Sequence, residues 1–141
     1  MSLDLLQQEL ESVGVERFTS RDYGVGPVTH IVLFRYAPAT SVEQRADVAR
    51  RFHALAATQR SGEPYILSIE SGAQLSGEVA PGGFEQAFIV KFSSLGDRNF
   101  YVGEPVFADA RYYDTAHARF KVFVGPLLAA APAGALVFDF Q

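Results

Sequence analysis

The proton-active side chains that titrate near neutral pH are three histidines, His30, His53 and His117, and the chain contains no cysteine. Without cysteine there is no thiolate nucleophile, disulfide, iron-sulfur cluster or cysteine zinc site, so polar chemistry falls to imidazoles, phenols and carboxylates. No phosphate-binding P-loop, G-x-S-x-G elbow, H-E-x-x-H pair or EF-hand loop occurs, and the glycine pairs in SGAQLSG and PGG lack the helix and basic residue of a phosphate cradle. His53 stands beside Arg50 and Arg51 on a helical pattern and reads as a solvated or edge-packed residue. His30 lies inside the apolar run VTHIVLF, where a buried imidazole must find a partner or lose its proton. His117 falls in the first turn of a helix capped by Asp114; the helix dipole favours a neutral ring there, and the Asp114 charge opposes that. A neutral imidazole is a serviceable general base, but by residue type each histidine reads more readily as a satisfied structural group.

The elements that must position these rings follow from hydropathy. Val28 to Tyr36 is β-branched, aromatic and apolar at both parities, the signature of a central strand. Thr40 with Glu43, or Ser41 with Gln44, offers a capping box for a helix ending near Gln59, with Val42, Ala46, Ala49, Phe52 and Ala56 as its buried stripe. Strands are expected over Tyr65–Leu75 and Gln86–Ser93, joined by a long hairpin loop, SGEVAPGGFE. Helical material follows in DRNFYV and over Thr115–Val124, stopped by Gly125 and Pro126, and Gly134–Phe140 closes the chain as a fourth strand. The order β-α-β-β-α-β is a split βαβ arrangement: an α+β, ferredoxin-like fold with a four-stranded antiparallel sheet and helices on one face. Because the first strand is apolar on both faces, something must cover the side away from the helices. A second copy packed across a two-fold axis hides far more than one short helix, so a homodimer is expected over covering by the N-terminal helix.

The chain has 141 residues, enough for one core, and 48% of them are hydrophobic. Twelve basic against sixteen acidic residues give a net charge of -4, which leaves no cationic surplus for nucleic acid. The N-terminus has no signal-like h-region and no segment reaches the ~18 apolar residues of a membrane span, so a soluble and, from cysteine usage, cytoplasmic chain is expected. Leu3, Leu6, Leu10 and Val13 recur at helical spacing, and Gly24, Gly26 and Pro27 then break the chain. The expected division is therefore a 1–27 extension carrying a short amphipathic helix and a 28–141 main domain.

The segments VTHIVLFRYAP, GGFEQAFIVKF and DTAHARFKVFVGPLL followed by ALVFDF resemble, in that order over residues 28 to 140, the stress-responsive A/B barrel (Dabb) family. The resemblance implies a ferredoxin-like fold paired into a dimeric α+β barrel, with a small-molecule pocket between the sheet and the helices of each subunit. Most members have no assigned reaction, but a plant polyketide cyclase of the family closes its substrate by an aldol step. Carried over, the resemblance gives His30 and His117 as pocket histidines, His117 as the base, and Tyr101 as the pocket tyrosine. Gln86 stands where many members have a third histidine, which implies a ligand-positioning amide. The stretch before His117 is longer than in the short members, which leaves Tyr112 or Tyr113 as alternatives to fill the pocket tyrosine's space as ligand-binding phenols. The readings that result are a binding or stress-associated dimer, a cyclase-like enzyme using His117, Tyr101 and His30, and a metal or haem site on the two histidines. The last lacks a third ligand, and no cofactor is expected.

Overall fold

A computed structural model describes residues 2–78 and 82–141; part of the expected 76–85 loop lies outside them. Helix α1 spans Leu3–Val13 and α2 Val15–Phe18; β1 is Val25–Phe34, α3 Val42–Ala54, and a minor hairpin pairs β2 (Gln59–Arg60) with β3 (Glu63–Pro64). Then come β4 (Ile66–Ala73), β5 (Gln86–Ser94), α4 (Leu95–Val102), α5 (Thr115–Val124) and β6 (Ala135–Phe140). The main sheet is antiparallel in the order β4-β5-β1-β6. Alternation along β1 sends Val28, His30, Val32 and Phe34 into the core, where Phe88, Val90 and Phe92 of β5 join them. Phe52 of α3 stacks on Phe88, with ring centroids 4.0 Å apart, and Phe120 of α5 packs edge-on against Phe52 at 5.1 Å. Burying each such ring contributes roughly 1.5–3 kcal/mol, which makes this aromatic cluster the main tie between sheet and helices.

Two helix details differ from expectation. The Ser41–Gln44 capping box starts α3, but Val48 and Phe52 are its buried residues while Val42 is 76% exposed. The inward face is turned so that Val48, Phe52 and the following Leu55 meet the sheet. The regular helix also stops at Ala54, and a single 3-10 turn, Leu55–Ala57, completes it.

The opposite sheet face carries in-register rows, Ile89–Ile31–Phe138 and Ala87–Leu33–Leu136, that are half-buried or exposed within one chain. Helix α1 does not cover them, since its Leu3 and Leu6 line a cleft that also contains the core-facing His30. The N-terminal segment is nonetheless bound tightly to the domain. Asn99 Nδ2 donates to the Phe18 carbonyl at 2.8 Å, and Arg60 donates to the Thr19 carbonyl and pairs with buried Asp97 at 2.8 Å. Gly96 is required there because a Cβ would lie 1.6 Å from the Ser20 carbonyl oxygen.

Candidate functional site

Between β1, β6 and the helices lies a cleft of about 890 Å³. Its floor comes from the helix-side residues of β1 and β6, and α4, α5 and the loop after α4 supply its walls. His30, Tyr101 and His117 all line it.

Each ring is fixed by local structure. Asp114 caps α5 by accepting from the His117 backbone N–H at 3.0 Å, which sets His117 in the first turn facing inward. His117 Nδ1 lies 2.6 Å from the Tyr101 carbonyl oxygen. A carbonyl only accepts, so Nδ1 carries the proton and the neutral ring keeps its lone pair on Nε2. Burial pushes the His117 pKa down to about 3; the Tyr101 carbonyl opposes this, and the Lys121 and His30 charges add to it. The ring is therefore a neutral acceptor at pH 7.

His30 takes the other common arrangement. Its register opposite Asp139 brings Nδ1 within 2.6 Å of that carboxylate, whose second oxygen accepts from Arg98 at 2.8 Å. Burial works against the Asp139 charge, but the hydrogen bonds and charges of His30 and Arg98 hold its pKa below the usual value. His30 Nδ1 thus donates to a carboxylate, which turns its Nε2 towards the cleft. Among the described residues, neither Nε2 has a hydrogen-bond partner.

Tyr101 joins the two histidines. Its ring stacks on His117, with centroids 3.7 Å apart and planes 14° from parallel, and meets His30 edge-on at 5.5 Å. The residue is 1% exposed and its hydroxyl has no hydrogen-bond partner among the described residues. Burial first, then the Asp114 and Asp139 charges, raise its pKa, so the phenol stays a donor. The cleft thus gathers one unsatisfied donor, the Tyr101 hydroxyl, one open acceptor, His117 Nε2, and the unpartnered Nε2 of His30. Lys121, one helical turn beyond His117, also lines it, donating to the carbonyls of Val102 and Glu104 at 3.0 and 2.9 Å, and burial lowers its pKa.

Three expected site residues lie elsewhere. Gln86 does not line the cleft: it pairs with Phe34 at the start of β5 and its side chain accepts from the Tyr36 hydroxyl. His30 pairs with Val90, four residues along β5, and that separation of about 13 Å keeps the amide away from the imidazole. Tyr112 and Tyr113 are also absent from the lining. Gly103, at φ 58°, turns the chain so that Tyr113 packs against that glycine and near Phe107, while Tyr112 lies under Arg111. His53 is exposed and its Nε2 lies 2.6 Å from Ser71 Oγ. Among the described residues no three His, Asp or Glu side chains gather as metal ligands. Sequence reasoning missed Asp139, Arg98 and Lys121. Asp139 did leave a signal, as the one charged residue in the closing strand ALVFDF.

A family model described as the stress-responsive A/B barrel domain, Dabb, matches residues 28–141. An Arabidopsis thaliana protein of known structure is 21% identical, with 81% of this chain and 93% of that chain covered and a TM-score of 0.60. A hydroxynitrile lyase from Passiflora edulis is 20% identical, with 82% and 92% covered and a TM-score of 0.58. A protein from Thermobifida fusca, described as dimeric, ferredoxin-like and of unknown function, is 21% identical, with 85% and 95% covered and a TM-score of 0.59. These likenesses show the fold. No curated protein sequence matches the chain, and no helix among the described residues is long and apolar enough to cross a membrane.

Proposed function

The chain belongs to the stress-responsive A/B barrel family, and from that premise we propose that it is a homodimer whose subunits each hold one small molecule, with an apolar body and a hydroxyl-bearing end, in the cleft between sheet and helices. The observation that carries this reading is the Tyr101 hydroxyl, buried without a partner among the described residues on a ring that stacks on His117 and meets His30 edge-on. Leaving such a hydroxyl unmet costs about 1–3 kcal/mol, which a ligand oxygen would recover. A hydroxyl suits the site because it accepts from Tyr101 and donates to His117 Nε2, whereas a carboxylate only accepts and would face that lone pair. The apolar part of the lining, including Val32, Phe34, Phe120 and Val124, suits a hydrocarbon. The dimer is supported by the apolar rows on the open sheet face and by the dimeric description of the Thermobifida fusca relative.

The test is calorimetric titration with n-octanol beside n-octane. The reading requires the alcohol to bind more tightly and Tyr101→Phe to remove most of that preference; equal binding of both probes would overturn it.

Proton transfer on the bound molecule is a second reading, and its specific support is the His117 Nε2 lone pair held in a neutral ring. In that reading His117 Nε2 takes a proton next to a carbonyl, while the Tyr101 hydroxyl donates to the oxygen that gains charge. Hydrogen–deuterium exchange at the α-carbon of a bound methyl ketone tests it: exchange lost in His117→Ala supports it, and exchange equal to the buffer rate overturns it.

A further inference from the structure

Helix α1 lies wholly outside the segment that matches the family, which begins at residue 28, yet it contributes Leu3, Leu6 and Glu9 to the cleft lining. None of its residues is fully buried, and an isolated 11-residue helix is marginal in water. Two features hold it in place. Ser2 caps its first turn, and Glu9 accepts a hydrogen bond from Tyr23, whose own carbonyl accepts from the Gly96 amide of α4 at 3.0 Å. Through α4 the helix is thus tied to the element that carries Arg98, Asn99 and Tyr101. Its two long faces differ in surroundings. Leu5 is 52% exposed and does not line the cleft, whereas Leu6 is half-buried and does.

We propose that α1 is a wall of the ligand site, with Leu3 and Leu6 contacting the apolar part of the bound molecule and limiting its length. This rests on the reading of the cleft as a ligand site. The lining selects the occupant: the Leu3 and Leu6 methyls offer contact to hydrocarbon and nothing to a charged group, and Glu9, the charged residue that α1 brings to the lining, is engaged by the Tyr23 hydroxyl. The stripe Leu3, Leu6 is therefore completed by ligand rather than by protein side chains. It also gives this chain a size selectivity that the 28–141 domain by itself does not encode.

The test uses the full chain and an alcohol series from n-butanol to n-decanol, titrated against the unaltered protein, Leu6→Trp, Leu3→Ala and Leu5→Trp. Each methylene excluded from the cleft changes affinity roughly fourfold. Leu6→Trp is expected to weaken n-decanol at least about tenfold while leaving n-butanol within about twofold. Leu3→Ala shifts the optimum towards longer alcohols, and Leu5→Trp, which places the same bulk on the outer face, leaves the series unchanged. Identical series for Leu6→Trp and Leu5→Trp would overturn the wall while leaving the cleft reading intact. Failure of the unaltered protein to bind any alcohol overturns both.

Discussion

The imidazole of His117 lies flat on the phenol of Tyr101, with ring centroids 3.7 Å apart, and donates from Nδ1 to the carbonyl of the same residue at 2.6 Å. One residue therefore fixes both the plane and the tautomer of the other. Helix α4 carries Tyr101, helix α5 carries His117, and the Asp114 cap sets the start of α5, so the pair is built where two helix ends meet.

The buried neutral imidazole makes stability depend on pH. His117 has a folded pKa of about 3 against an ordinary value of 6.5, so between these values the unfolded chain binds a proton that the folded chain refuses. Its contribution is fully present above pH 6.5 and is lost as pH falls towards 3, at up to about 1.4 kcal/mol per pH unit. Urea midpoints at several values from pH 7 to pH 4 are expected to fall, and His117→Gln to flatten that fall. An unchanged slope in the variant would refute the assignment.

Removing the Asp139 carboxylate leaves the His30 Nδ1–H and the Arg98 guanidinium without their shared acceptor. Asp139→Ala is expected to cost about 1–3 kcal/mol at pH 7, measured by denaturant unfolding. The lowered Asp139 pKa means that this contribution is present above the normal carboxylate range and disappears as acid protonates the group. The difference between variant and parent should therefore shrink in acid; a constant difference contradicts the pairing.

Gly96→Ala tests whether the extension and the domain are one packed unit. A Cβ there would collide with the Ser20 carbonyl, and the overpacking should cost about 1–3 kcal/mol or more. The expected outcome is a lower Tm together with faster proteolysis between Gly14 and Gly24. An unchanged cleavage pattern would mean that the contact does not hold the segment.

The open sheet face gives a direct test of association. Ile89 lies beside Ile31 at the centre of that face, and Ile89→Asp would place an unpaired charge in the proposed interface. Light scattering is expected to show a dimer for the parent and a monomer for the variant. A monomeric parent at micromolar concentration would end the dimer proposal.

The sequence carried the fold well because its cues were local. Strand alternation, the Ser41 and Asp114 caps and the stop at Gly125–Pro126 each constrain a few neighbouring residues, and the structure has strands and helices at those places. The site was partly legible. His30, Tyr101 and His117 line one cleft, but Gln86 was misplaced because its distance from His30 depends on β1–β5 register, which no local pattern states. Tyr112 and Tyr113 could not be sorted from Tyr101 by composition, since the turn at Gly103 decides which phenol faces inward. Asp139 and Arg98 went unnoticed because their pairing joins residues 41 apart.

The proposed occupant of the cleft is a hydroxyl-bearing apolar molecule with its oxygen at Tyr101 and the histidines. A crystal structure of the protein with n-octanol tests it most directly. The alcohol oxygen is expected within about 2.6–3.2 Å of Tyr101 Oη and of His117 or His30 Nε2, with the hydrocarbon chain along the apolar lining. An alcohol bound with its hydrocarbon at the histidines, or a cleft left empty at saturating alcohol, would contradict it.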